Sequence, residues 1–221
     1  MERGREMKIH TILFDLDGTL TDSGEGIMNS VEYALQKYGI KVEDRSQLQA
    51  FVGPPLAEQF SKFCGFSEEE GHRAVEVYRE YYQVKGIFEN RVYDGIPEVL
   101  EQLKNKGYQI CMATSKPEKY AKIIAEHYDF AKYFDVIAGS LMDGGRVNKD
   151  EVIEYALEQC GVTNRESVLM IGDRNYDIIG AKKAGTHSMG VLFGYGSREE
   201  LETAGAELIA ETPVDIAKLL V

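Results

Sequence analysis

No apolar run in this sequence approaches the length of a membrane span, so nothing in it asks for a bilayer. Positive charge is in short supply: 25 Lys and Arg stand against 37 Asp and Glu, a formal net charge of −12. That deficit argues against a nucleic-acid polymer or an anionic membrane surface as partner. It leaves room for a small anionic ligand, because a metal ion and a lysine can reverse the field inside one cleft. Cysteine is scarce as well. Cys64, Cys111 and Cys160 are odd in number and widely spaced, which gives neither a disulfide framework nor a zinc spacing, so all three read as reduced core thiols. Met1 to Lys8 is charged and lacks the apolar centre of a secretory leader, and Met7 is a second candidate start. The expectation is a cytoplasmic protein, a monomer or weak homodimer. Internal repeats, low-complexity tracts and Gly/Ser linkers are absent.

What is present is enough for a full core. A chain of 221 residues with 43% hydrophobic content suits one large domain, or a core carrying a smaller insert. The run Ile9–Phe14 reads as a buried strand, and it ends in Asp15-Leu16-Asp17-Gly18. A carboxylate at the carboxyl end of a parallel strand lies at the rim where α/β proteins bind ligands. Strand alternation puts Asp15 and Asp17 on one side, with Leu16 turned into the core. Two adjacent anions with only oxygen to offer suit Mg²⁺. The same residues also describe a strand closed by a polar turn.

From residue 22 to 91 the pattern is helical. Ile27, Val31, Leu35 and Tyr38 recur at helical spacing, with Gly39 as the stop. Ser46 reads as the N-cap of a short helix, Pro55 as the first position of the next, and Ser67 to Glu70 as a capping box opening a third. From Tyr93 onward strands alternate with helices, which implies a mostly parallel sheet covered on both faces. The expected architecture is therefore an α/β, Rossmann-like core made of residues 1–21 and 92–221, with an inserted α-helical cap at 22–91.

Three further places carry chemistry. Thr114-Ser115 falls where the second strand meets a helix start, a position suited to gripping phosphate oxygens. Lys149 heads a predicted helix, where a cation opposes the helix dipole and so calls for a nearby anion. Arg146 is a weaker candidate for the same role. The fourth core strand runs into Gly172-Asp173-Arg174-Asn175-Tyr176-Asp177, which puts Asp173 at a strand end and Asp177 one helical turn beyond.

Asp15-Leu16-Asp17-Gly18-Thr19-Leu20 resembles the first motif, D-x-D-G-T-L, of the haloacid dehalogenase superfamily in its phosphatase branch. Thr114, Lys149 and Gly172–Asp177 match the remaining motifs in order, so the likeness covers nearly the whole chain. The resemblance implies a Mg²⁺-dependent phosphomonoesterase acting on a small phosphorylated metabolite. Asp15 would be the nucleophile, forming an aspartyl-phosphate, and Asp17 the acid and base. Lys149 would neutralise both the nucleophile and the phosphate, and Thr114 and Ser115 would hold the phosphoryl group. Asp15, Asp173, Asp177 and the backbone carbonyl of Asp17 would surround the metal, Asp177 either through water or by orienting Lys149. Gly53, in the break Gly53-Pro54-Pro55, would help select the substrate.

Within the superfamily the chain is similar to phosphoglycolate phosphatases and to bacterial 5′-nucleotidase-like proteins. Lys149-Asp150-Glu151-Val152 departs from the K-P-x-P of many phosphoglycolate phosphatases, and Tyr78–Asn90 resembles the nucleotidase-like group better. A β-phosphoglucomutase-type phosphotransferase and a non-catalytic phosphate-binding protein are the alternatives.

Overall fold

A computed structural model describes residues 8–220. The charged N-terminal stretch before Lys8, read above as no secretory leader, otherwise lies outside the described residues. The strands and helices follow as β1 (Thr11–Phe14), β2 (Thr21–Asp22), α1 (Gly24–Lys37), α2 (Leu56–Cys64), α3 (Glu68–Tyr82), β3 (Arg91–Val92) and α4 (Ile96–Asn105). Then come β4 (Gln109–Pro117), α5 (Glu118–His127), β5 (Val136–Ser140), α6 (Lys149–Gln159), β6 (Val168–Gly172) and α7 (Asn175–Ala184). The chain closes with β7 (His187–Val191), α8 (Arg198–Ala204), β8 (Leu208–Ala210) and α9 (Pro213–Leu219).

Six strands form one sheet in the order β5-β4-β1-β6-β7-β8, and every pairing in it is parallel. Period-two alternation divides the buried side chains between two cores. Ile12, Phe14, Ile110, Met112, Leu169 and Ile171 face one layer, while Leu13, Cys111, Ala113, Val168 and Met170 face the other with α6 and α7. Strands buried on both faces read as continuous apolar runs, which is why β1 and β6 were legible.

Register is what builds the site. Phe14 stands opposite Met112 of β4 and Ile171 of β6, so β1 and β6 finish nearly level while β4 runs on beside them. Asp15, Thr114 and Asp173 therefore emerge together at the carboxyl edge. The sheet order reverses about β1, and this is the position where open α/β sheets take ligands.

Helices α1 to α3 lie between β2 and β3, two short strands that pair antiparallel as a ribbon. Sequence gave no hint of that ribbon, since two residues carry no periodicity. Asp44, not Ser46, caps the 3₁₀ helix Arg45–Phe51, its carboxylate accepting the Ser46 N–H at 2.9 Å. The capping box at Ser67 and Glu70 is present as read. Helix α8 was missed because it is seven residues long and buries only Leu201.

The cysteines correct an expectation. Cys111 on β4 and Cys160 at the end of α6 are paired as a disulfide, at a Cα separation of 7.6 Å that is wider than usual. The packing of α6 across β4 brings together two residues 49 apart in sequence. Cys64 is the free cysteine, half-buried, with its thiol pushed up by burial. No helix among the described residues is long and apolar enough to cross a membrane.

Candidate active site

Asp15 directly follows β1, its N–H held by the carbonyl of Ile171 at 2.9 Å. One of its carboxylate oxygens lies 2.8 Å from the ammonium of Lys149. Lys149 is the first residue of α6 and is buried, its Nζ also donating to the carbonyl of Ala113 at 3.1 Å. Its second anion is Asp177, at 2.7 Å. The anion that a helix-heading lysine demanded is thus present twice over. Arg146 is absorbed elsewhere, on the carbonyl of Gly139, on Glu118 and over the ring of Tyr155.

Asp177 uses both of its oxygens structurally. One meets Lys149, and the other accepts the N–H of Arg174 at 3.0 Å in the first turn of α7. Asp177 thus ties Lys149 to the start of α7. Asp173 has no exposed surface; its carboxylate accepts the N–H of Tyr195 at 2.7 Å and stands 3.4 Å from the Thr19 hydroxyl. Gly18 has φ +81°, and a Cβ there would strike the Asp173 carboxylate, so the glycine serves close approach as well as the turn.

Oxygens of Asp15, Asp173 and Asp177 all lie within 4.8 Å of one another. Lys149 pairs with Asp15 and Asp177 but not with Asp173, so this buried carboxyl cluster carries more acid than its one cation balances, an excess that suits a divalent cation. Burial pushes the Asp15 carboxyl up to about 6, against the pull of Lys149 and with help from Asp177 and Asp17. Burial, and then Asp177 and Asp15, hold Asp173 well above the usual carboxylate range. Burial works against the Lys149 charge, but Asp15 and Asp177 outweigh it and hold the ammonium above its ordinary value.

The Asp17 carboxylate is outside this cluster and pairs instead with Lys116 at 3.0 Å. Its other oxygen, Oδ1, is buried with no hydrogen-bond partner among the described residues. Thr114 is buried, but not at a helix start as its sequence position suggested. Strand β4 continues to Pro117, and its register shifts between Ala113 and Pro117. That irregularity turns the strand end, and the Thr114 hydroxyl accepts the N–H of Lys116 at 3.2 Å.

A chamber of about 700 Å³ opens between the helical segment and the sheet edge. Asp17, Ser115 and Gly53 line it, together with Phe51, Tyr78 and Tyr120. Gly53 has φ +102°, and a Cβ there would lie 3.3 Å from Arg174. Arg174 reaches across from the sheet side, its guanidinium donating to the carbonyl of Val52 at 2.8 Å and to Glu200 at 2.9 Å. Sequence reading did not single out Lys116, Arg174 or Tyr195. Tyr195 was findable from its flanking Gly194 and Gly196, a pattern of close backbone approach.

The sequence profile of the haloacid dehalogenase-like hydrolases matches residues 12–191. A 5′-nucleotidase of Pseudomonas aeruginosa is 46% identical over 199 residues, which are 90% of each chain. A crystal structure described as a predicted phosphatase from Clostridium acetobutylicum superposes with a TM-score of 0.93 at 48% identity, covering 96% of this chain and 98% of that one. The tyrosine-protein kinase PtkA of Mycobacterium tuberculosis is 36% identical over 199 residues, 90% of this chain and 67% of its own. On the profile, the relatives and the fold together, this chain belongs to the haloacid dehalogenase-like hydrolase family.

Proposed function

We propose that the protein is a Mg²⁺-dependent phosphatase that hydrolyses small phosphate monoesters through an aspartyl-phosphate on Asp15. The observation that carries this reading is the convergence of Asp15, Lys149, Asp173 and Asp177, all buried, at one edge of the sheet. Asp15, Asp173 and Asp177, with the backbone carbonyl of Asp17, would hold the metal. Bound there, Mg²⁺ would neutralise charge on the phosphoryl oxygens.

The chain's own residues do the rest. The Asp15 carboxylate attacks phosphorus in line, and the bond to the leaving alkoxide breaks as the Asp15–phosphorus bond forms. Asp17 gives its proton to that alkoxide. A water then attacks phosphorus, loses its proton to Asp17 and releases phosphate, which restores Asp15. Lys149 stabilises the charge that builds up on the phosphoryl group. The Thr114 hydroxyl and the Ser115 N–H grip its oxygens.

Residues 22–91 act as a cap over the leaving group. The short β2–β3 ribbon is the connection on which such a cap would turn, and Gly53 sits where the cap loop meets Arg174. A chamber of about 700 Å³ with aromatic walls suits a nucleoside monophosphate; phosphoglycolate would leave most of it unfilled. The name of the Pseudomonas relative supports the same choice.

The test is phosphate release from a panel of nucleoside monophosphates, sugar phosphates and phosphoglycolate. With Mg²⁺ the protein should release phosphate, fastest from the nucleotides. Excess chelator should stop it, and added Mg²⁺ should restore it, because the buried carboxylates are hard oxygen ligands. Full turnover in excess chelator would overturn the metal dependence. Isomerisation without phosphate release would mean a mutase.

A further inference from the structure

Lys116 is a buried cation that the chemistry above leaves without a task. Its side chain is 5% exposed, and its ammonium makes two contacts of different origin. One is the Asp17 carboxylate, at 3.0 Å from Oδ2. The other is the hydroxyl of Tyr82, which accepts a hydrogen bond at 2.7 Å, with the ammonium 4.8 Å from the centre of the same ring. Asp17 and Lys116 belong to the sheet side, whereas Tyr82 is the last residue of α3 in the helical segment. Tyr82 is itself fixed, stacked on Tyr78 at 5.2 Å and edge-on to Tyr120 at 5.4 Å. Burial holds its phenol well above the ordinary range, so the hydroxyl stays neutral and able to accept from the ammonium.

We propose that Lys116 is a positioning residue that holds Asp17 by one oxygen so that the other faces the leaving group, and that Tyr82 makes this hold depend on the cap being shut. A carboxyl group left to rotate about its Cβ–Cγ bond presents its proton in many directions. Anchoring Oδ2 removes that freedom and leaves Oδ1, buried and unpartnered among the described residues, free to serve the leaving group, on a residue that lines the chamber. A proton donor is useful only within hydrogen-bond reach of its acceptor, so this orientation matters for rate. The hydroxyl of Tyr82 holds the ammonium from the opposite side. If α3 lifts away from the sheet edge, that contact is lost and Asp17 loosens. The acid is thereby set when the chamber closes over a substrate and released when it opens.

The proposal rests on Asp17 being the acid, and the experiment separates the two ideas. Phenyl phosphate and p-nitrophenyl phosphate are similar in size but differ in how much their leaving groups need a proton. With the full chain and Mg²⁺, Asp17→Asn should slow phenyl phosphate far more than p-nitrophenyl phosphate. Lys116→Met should reproduce that selectivity, with kcat for phenyl phosphate falling about 100-fold and that for p-nitrophenyl phosphate less than about 10-fold. Adding Lys116→Met to Asp17→Asn should cost little further, because the two residues act as one unit.

Tyr82→Phe removes only the hydroxyl and keeps the rings packed. It should show the same selectivity on a smaller scale, about 3-fold against phenyl phosphate, and it decides the matter if Lys116→Met does not fold. A selective Asp17→Asn beside an unselective Lys116→Met overturns the positioning role, as does an unselective or unaltered Tyr82→Phe. An unselective Asp17→Asn removes the acid itself.

Discussion

Asp15→Asn should lower turnover by at least ~10³-fold, the scale seen when a covalent catalyst is deleted, while leaving the protein folded. The amide is close to the carboxylate in size, and Asp15 is anchored through its backbone N–H to Ile171, so the geometry should survive. What is lost is the nucleophile, since an amide does not add to phosphorus. The apo protein should be no less stable than wild type and can be more so. Asp15, Asp173 and Asp177 cluster with Lys149 as their one paired cation, held by Asp15 and Asp177, and removing one carboxylate relieves part of that acidic excess. Kinetics and thermal unfolding in chelator measure both effects. Turnover within a few-fold of wild type would remove Asp15 from the nucleophile's role.

Lys149→Met should behave in the opposite way. Its side chain is 4% exposed and its ammonium spans Asp15 and Asp177, so its loss leaves these buried carboxylates with no paired cation. Breaking a buried pair from one side costs about 3–5 kcal/mol. Denaturant unfolding in chelator should reveal a loss of that order, and Mg²⁺ should recover more stability in this variant than in wild type. Turnover should also fall, by about 10²–10³-fold, as when one charge-stabilising donor is removed. If Lys149→Met were as stable as wild type in chelator, the carboxylates would not depend on Lys149 for their balance. The two substitutions thus separate catalytic loss from electrostatic collapse.

The parts of the site that were legible in the sequence are those set by local pattern. A continuous apolar strand ending in acid located both Asp15 and Asp173, because a strand buried on both faces cannot hide its hydrophobic run. Lys149 was legible through its conflict with the helix dipole, and Asp177 through its one-turn spacing from Asp173. What could not be read arises from contacts between distant segments. The hold of Lys116 on Asp17 involves Tyr82, a residue 34 positions earlier whose approach depends on how α3 docks. Arg174 meets Val52 across 122 positions. The Cys111–Cys160 pair and the extension of β4 through Pro117 are likewise tertiary outcomes, the second overriding the usual expectation that a strand stops before proline. Helix α8 and the β2–β3 ribbon were too short to carry a period.

The central claim is that the phosphoryl group passes through Asp15 on its way to water, and the stereochemical course at phosphorus tests it most directly. A phosphate monoester made chiral at phosphorus with oxygen isotopes is hydrolysed in isotopically labelled water, and the configuration of the released phosphate is determined. Transfer to Asp15 and then to water is two in-line displacements, each inverting the centre. The account predicts net retention. Net inversion, the mark of a single direct attack by water, would contradict it.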